Sequence, residues 1–143
     1  MMKLLLLIAV AASTAVHGRE RPTLAPPAAV ALADALRNGG SGRFEMTVVS
    51  TGMVRDVLFL NSGEDYRAPD DLIFEIAPNI ARELAERFGA PPEIYLKGKH
   101  IIVDGTVRRV LIVNSTAGVA FSANRWQHVV RIEFAKQLVS IDG

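Results

Sequence analysis

Residues 95–110, YLKGKHIIVDGTVRRV, alternate apolar and polar positions around one glycine, and this constrains the fold more than any other feature of the chain. Ile101, Val103, Gly105 and Val107 take one parity, and His100, Ile102, Asp104, Thr106 and Arg108 the other. A period of two makes this a strand with one face on a core. Gly105 offers no side chain on the inward parity, where a strand bends sharply to close a small barrel. The adjacent Arg108 and Arg109 are not required by that closure, and they raise the question of a binding role.

The same period recurs elsewhere. Phe44, Met46 and Val48 share a face, Thr51-Gly52-Met53 permits a tight turn, and residues 54–60 form a second strand paired back on the first. Residues 61–71 are polar, broken by Gly63 and Pro69, and read as a loop. Residues 72–76 form a third, nearly all-apolar strand expected inside the sheet. From Pro78 and Asn79 the period becomes helical, with Ile80, Leu84 and Phe88 every fourth residue, and Gly89 ends the helix before Pro91-Pro92. Residues 111–124 read as a long loop or loose hairpin. The last strands are 126–134, with Trp126, His128, Val130, Ile132 and Phe134 on one parity, and 138–141.

The amino terminus predicts export. Lys3 precedes an apolar run at 4–12, too short to span a bilayer, followed by small residues at Ser13, Ala15 and Gly18. Residues 1–18 are expected to be a signal peptide, placing the mature chain in a secreted or periplasmic location. Residues 19–43 are expected to be a Pro- and Ala-rich leader with a short helix over 28–38 and a Gly-rich linker, and 44–143 the folded domain. The 143 residues contain no cysteine, so disulfides and thiolate chemistry are excluded and the domain relies on its apolar core. A net charge of +1 means that electrostatic binding needs a local patch.

Three strands, a helix and two strands is the layout of the OB-fold, a five-stranded Greek-key barrel. The chain resembles small secreted or periplasmic bacterial OB-fold proteins of the nucleic-acid-binding type. The resemblance rests on Phe59-Leu60-Asn61-Ser62, Asp65-Tyr66-Arg67, Leu96-Lys97-Gly98-Lys99, Ile101, Val103, Gly105-Thr106-Val107, Ile132-Glu133-Phe134 and Gln137-Leu138, across residues 44–141. It implies an all-β fold with one or two short helices, one of them between the third and fourth strands. Residues 113–125 depart from the family pattern as an insertion, which either shapes a binding groove or covers one.

Cations cluster late in the chain. Lys97, Lys99, Arg108, Arg109, Arg125, Arg131 and Lys136 face only Asp104 and Glu133 between residues 94 and 136, whereas 44–93 is net acidic. Either the basic strands form a stripe suited to a phosphate backbone, or they lie beside acidic strands and neutralise them. Single-strand binders add aromatic platforms. Phe59, which shares the parity of Arg55 but fits the core equally well, and Tyr66 are candidates, whereas the parity of Trp126 favours the core. Glu64, Asp65, Asp70 and Asp71 read as a solvated turn without calcium-loop spacing, and His100 and His128 lack metal-ligand spacing. Nucleophile and phosphate-loop motifs are absent from the sequence.

The expectation is a non-catalytic OB-fold binding module with no cofactor, metal or catalytic residue. It engages single-stranded nucleic acid or another anionic polymer through Arg55, Phe59, Tyr66, Arg67, Arg108, Arg109 and Arg125. The alternative is a protein-interaction or envelope-stress module whose groove takes a peptide or partner protein.

Overall fold

The computed structural model describes residues 21–116 and 119–143. The expected signal peptide lies outside them. In chain order the elements are β1 (Thr23–Leu24), α1 (Pro26–Ala35), β2 (Gly40–Thr47), β3 (Ser50–Val54), β4 (Val57–Asn61), β5 (Leu72–Ile76), α2 (Pro78–Phe88), α3 (Pro92–Tyr95), β6 (His100–Thr116), β7 (Val119–Ile132) and β8 (Leu138–Asp142). A single 3-10 turn, Ala135–Gln137, joins the last two strands.

The β-rich expectation holds, but the closed five-strand count does not. Among the described residues eight strands form one mixed sheet whose ladders follow the open path β1-β2-β6-β7-β5-β4-β3, with β8 also on β6. The first expected strand is divided at Val48 and Val49, where the chain changes partners. The Val48 N–H donates to the Lys99 carbonyl at 2.9 Å, whereas the Val49 N–H donates to the Asn61 carbonyl at 2.9 Å. β2 therefore pairs with β6, and β3 with β4. As expected, β5 lies inside the sheet, antiparallel to β4 and parallel to β7.

One face of the sheet is the core. Leu58, Ile76 and Ile132 lie in register across β4, β5 and β7, and Leu60, Phe74, Val130 and Val107 continue the next row into β6. All are buried together with Phe44, Met46, Ile101 and Val103. Burying each such side chain contributes roughly 1.5–3 kcal/mol, which a cysteine-free domain must obtain this way. Gly105 belongs to this inward parity, and a β-carbon there would stand 2.8 Å from Val130 Cγ1. The place of its missing side chain is taken by β7.

Helices cover the open sides. α2 buries Ile80 and Leu84, and Phe88 stacks on Tyr95 of α3 at 4.0 Å between ring centres. Gly89 ends α2 in the left-handed region as expected, with φ 62°. Asn79 does not cap the helix; Ala77 holds that position, because Pro78 already begins the first turn. α1 buries Ala29 and Ala33, and its Leu32 lies so near Gly40 that a β-carbon there would be 2.5 Å from Leu32 Cγ.

Three local expectations are corrected. The hairpin turns at Arg55-Asp56, φ 51° and 66°, rather than at Thr51-Gly52-Met53. Positive φ at both central residues matches the twist of the flanking strands, and Asp accepts it readily. Residues 40–43 are strand rather than linker, since Gly40 pairs with Val107 and Arg43 with Asp104, an ion pair of 2.8 Å. Of the two readings of 111–124, a long loop or a loose hairpin, the loop is not found: β6 and β7 pair antiparallel from Ile112–Arg125 out to Thr116–Val119, with bulges absorbing the irregular sequence.

Candidate functional site

The core register fixes what lies on the other face. Gly52, Phe59, Glu75 and Arg131 form one row across β3, β4, β5 and β7. Asn61, Ile73, Val129 and Arg108 form the next, from β4 to β6, and Gln127 pairs with Val110 beyond it. Because strand side chains alternate, this outer face collects residues of the opposite parity to the core.

A groove of about 310 Å³ opens here, lined chiefly by Gly52, Phe59, Tyr66, Ile73 and Gln127. Tyr66 comes from the loop between β4 and β5, which is tightened where Asp65 Oδ1 accepts the Arg67 N–H at 2.9 Å. The Arg67 guanidinium lies 5.5 Å from the Tyr66 ring centre and that of Arg125 lies 5.6 Å from it. One aromatic ring is thus flanked by two cations, both within cation–π range.

A second hollow, about 320 Å³, adjoins it and is lined by Arg108, Val110, Val129, Arg131, Phe134 and Gln137. Val110 is the register partner of Gln127 and Val129 that of Ile73, so the two depressions share β7 as a common wall. Gln137 fixes the turn below it. Its Oε1 accepts the Glu133 and Phe134 N–H groups at 2.8 and 3.0 Å, and its Nε2 donates to the Asp104 and Arg131 carbonyls at 3.1 and 2.9 Å. That carboxamide is fully used, and it holds Phe134 outward with 60% of its surface exposed. Lys136 stands 5.8 Å from the Phe134 ring centre.

The structure thus brings Phe59, Tyr66, Arg67 and Arg125 together around one groove and places Arg108 in the next. Arg109 borders that second hollow, but its register partner is His128 on the opposite face, and its guanidinium stacks 4.2 Å from the centre of Trp126. Arg55 lines neither depression, being exposed in the β3–β4 turn. Trp126 has the core parity but is 43% exposed, because there β7 pairs with β6 beyond the reach of β5. Sequence reasoning missed Arg131, Gln127 and Phe134 as site residues. Arg131 and Gln127 share the outward parity of Arg125; Phe134 was hidden by its core parity, which stops applying when β7 ends at Ile132.

Both electrostatic alternatives are realised in part. Glu75 neutralises Arg131 across the sheet at 2.7 Å. Arg67, Arg108, Arg109 and Arg125 have no carboxylate partner among the described residues. Within the described residues no group of three or more His, Asp or Glu side chains is placed to hold a metal.

Asp71 departs from the solvated-turn expectation, with only 3% of its surface exposed. Its Oδ1 accepts the Gly63 N–H at 2.7 Å and the Ser62 hydroxyl at 2.9 Å, while Oδ2 is buried with no partner. Burial pushes its pKa from 3.8 up to about 6, against the opposing pull of those hydrogen bonds. The folded state therefore binds this proton more tightly than the unfolded one. Asp71 should make the protein about 2 kcal/mol more stable at pH 4 than at pH 7, the loss accumulating as pH rises through that interval. Urea midpoints of the wild type and Asp71→Asn across pH 4–7 check this, the variant lacking that component of the slope.

No family model matches the sequence, and no curated protein matches it. Among solved structures, the chain is similar to a protein described as an aspartyl-tRNA synthetase, from Leishmania major Friedlin. The TM-score is 0.46 and the identity 10%, over 90% of this chain and 21% of the other. The chain thus spans about a fifth of that protein's length, and a likeness of this size carries no argument about function.

Proposed function

We propose that this chain is a variant of the OB barrel and a non-catalytic module that binds single-stranded nucleic acid along its outer sheet face. For the fold, the support is the exchange of partners at Val48 and Val49. Counting β2 and β3 as one bent strand gives the cyclic order 1-2-3-5-4-1, with β4, β5, β6 and β7 as strands two to five and α2 between the third and fourth. β1, β8, α1 and the long β6–β7 arm are additions to that frame.

The observation that carries the function is the face itself. Phe59, Tyr66 and Phe134 offer rings to bases, and Arg67, Arg108 and Arg125 offer guanidinium groups with no carboxylate partner among the described residues. Stacking contributes about 1–3 kcal/mol per base without regard to sequence, and the cations track the phosphates. This is also the strand face on which OB-folds take oligonucleotides and oligosaccharides.

Titration of labelled single-stranded DNA at two salt concentrations tests the reading. Three phosphate contacts predict a log–log salt slope of about −2, from roughly −0.7 per neutralised phosphate on a single strand. Absence of binding at low salt sinks the proposal. A peptide-binding role is favoured by a different observation, the exposed Leu111, Val113 and Trp126; it predicts an apolar interaction that added salt does not weaken.

Export to a secreted or periplasmic location is part of the same proposal and rests on the pattern of residues 1–18. No helix among the described residues is long and apolar enough to cross a membrane. Amino-terminal sequencing of the mature protein checks the cleavage.

A further inference from the structure

The groove has a buried acid at the root of the loop that supplies Tyr66, and nothing in the binding role just proposed uses it. Ser62, Gly63 and Asp71 close the base of that loop through the two hydrogen bonds to Asp71 Oδ1, and the Leu72 N–H donates to Ser62 Oγ at 2.8 Å. The network continues to the groove wall. Ser50 Oγ gives its single proton to the Gly63 carbonyl at 2.7 Å, so it must accept from Asn61 Nδ2 at 3.2 Å, and this fixes the orientation of the Asn61 carboxamide. Asn61 lines the groove with Tyr66.

We propose that protonation of Asp71 controls how firmly the loop at 62–71 is closed and thereby gates Tyr66 at the groove, the loop being firm when Asp71 is neutral and loosened when it is ionised. The neutral acid keeps both acceptor contacts on Oδ1 and removes the charge from a site where Oδ2 has no donor. Among the described residues the ionised acid has no compensating cation against it. The hollow above it is lined by Glu64, Asp65 and Asp70 from its own loop, while α1 presents only Pro26, Pro27 and Val30. β3 and β4 contribute Ser50 and Asn61 to the network, and Ser62 opens the loop itself; none of them is charged. The shift of Asp71 to about 6 places the transition between mildly acidic and neutral conditions.

The proposed gate regulates the site assigned above, and its functional meaning rests on that assignment, but its physical test needs no ligand. Hydrogen exchange of the unliganded full chain, corrected for the intrinsic pH dependence of exchange, is measured at the Gly63 and Leu72 amides from pH 5 to 8. Protection should fall about tenfold with a midpoint near 6 in the wild type, and stay flat in Asp71→Asn, which keeps an acceptor oxygen but cannot ionise. Constant wild-type protection, or an unchanged transition in the variant, overturns the gate.

Should the variant fail to fold, carbon-13 titration of the wild-type Asp71 carboxyl serves instead. Its midpoint should coincide with that of the Tyr66 ring resonances; separate midpoints overturn the gate. Single-stranded DNA binding measured at both pH extremes is scored apart from these results. If DNA fails to bind at either pH the nucleic-acid reading falls, while a pH-linked loop transition in the free protein would still stand.

Discussion

Replacing Tyr66 with alanine is expected to weaken binding of a single-stranded oligonucleotide by about 5- to 150-fold, the equivalent of one lost stacking contact. The ring lines the groove and holds Arg67 and Arg125 at 5.5 and 5.6 Å, so its removal also frees two guanidinium groups that it now orders. The Tyr66→Ala and Arg125→Ala losses should for that reason not add in a double-mutant cycle. Arg55→Ala is the internal control, since Arg55 lines neither depression, and should change affinity less than about twofold. Equal losses from Arg55 and Tyr66 would indicate general charge attraction to the chain rather than binding at this groove. Fluorescence anisotropy at fixed salt, with circular dichroism to confirm folding, decides the matter.

Gly105→Val is expected to have the largest effect on stability. The first added carbon would stand 2.8 Å from Val130 Cγ1, in a fully buried row where Val130 pairs with Val107. Overpacking of this kind costs about 1–3 kcal/mol, and a β-branched side chain has few rotamers with which to escape. The melting temperature should fall by roughly 10 °C. Val130→Ala in the same chain should restore part of the loss by vacating that space, giving a coupling of opposite sign to the two single effects. An unchanged melting temperature for Gly105→Val would show that the close approach at this strand is not constraining.

These two positions also show what was legible in the sequence. Gly105 was readable because its parity within an alternating strand is local information, whereas Phe59 fitted core and outer face equally well until the burial of Leu58 and Leu60 decided it. The helix ending at Gly89 and the central β5 were likewise written in short-range signals. Partner exchange at Val48–Val49 was not: the two adjacent valines break the alternation, but nothing local to them names the strand with which each side pairs. Asp71 looked like one more loop carboxylate; its burial depends on α1 and on Ser62, which only the tertiary structure brings to it. Parity misled at Trp126 and Phe134 because it reports a face, and cannot report where the neighbouring strand ends.

The packing of α1 has a consequence for synthesis of the chain. Its Asp34 bonds the buried His128 Nε2 at 2.8 Å across a separation of 94 residues, and its Leu32 seats against Gly40 in a strand that itself pairs with β6. The helix leaves the ribosome well before β6 and β7, which complete its docking surface. Until β6 and β7 have been translated, Ala29, Leu32 and Ala33 have no completed core to cover. The helix is thus among the last pieces to settle, and the nascent chain carries an unburied apolar stripe until β6 and β7 have been made.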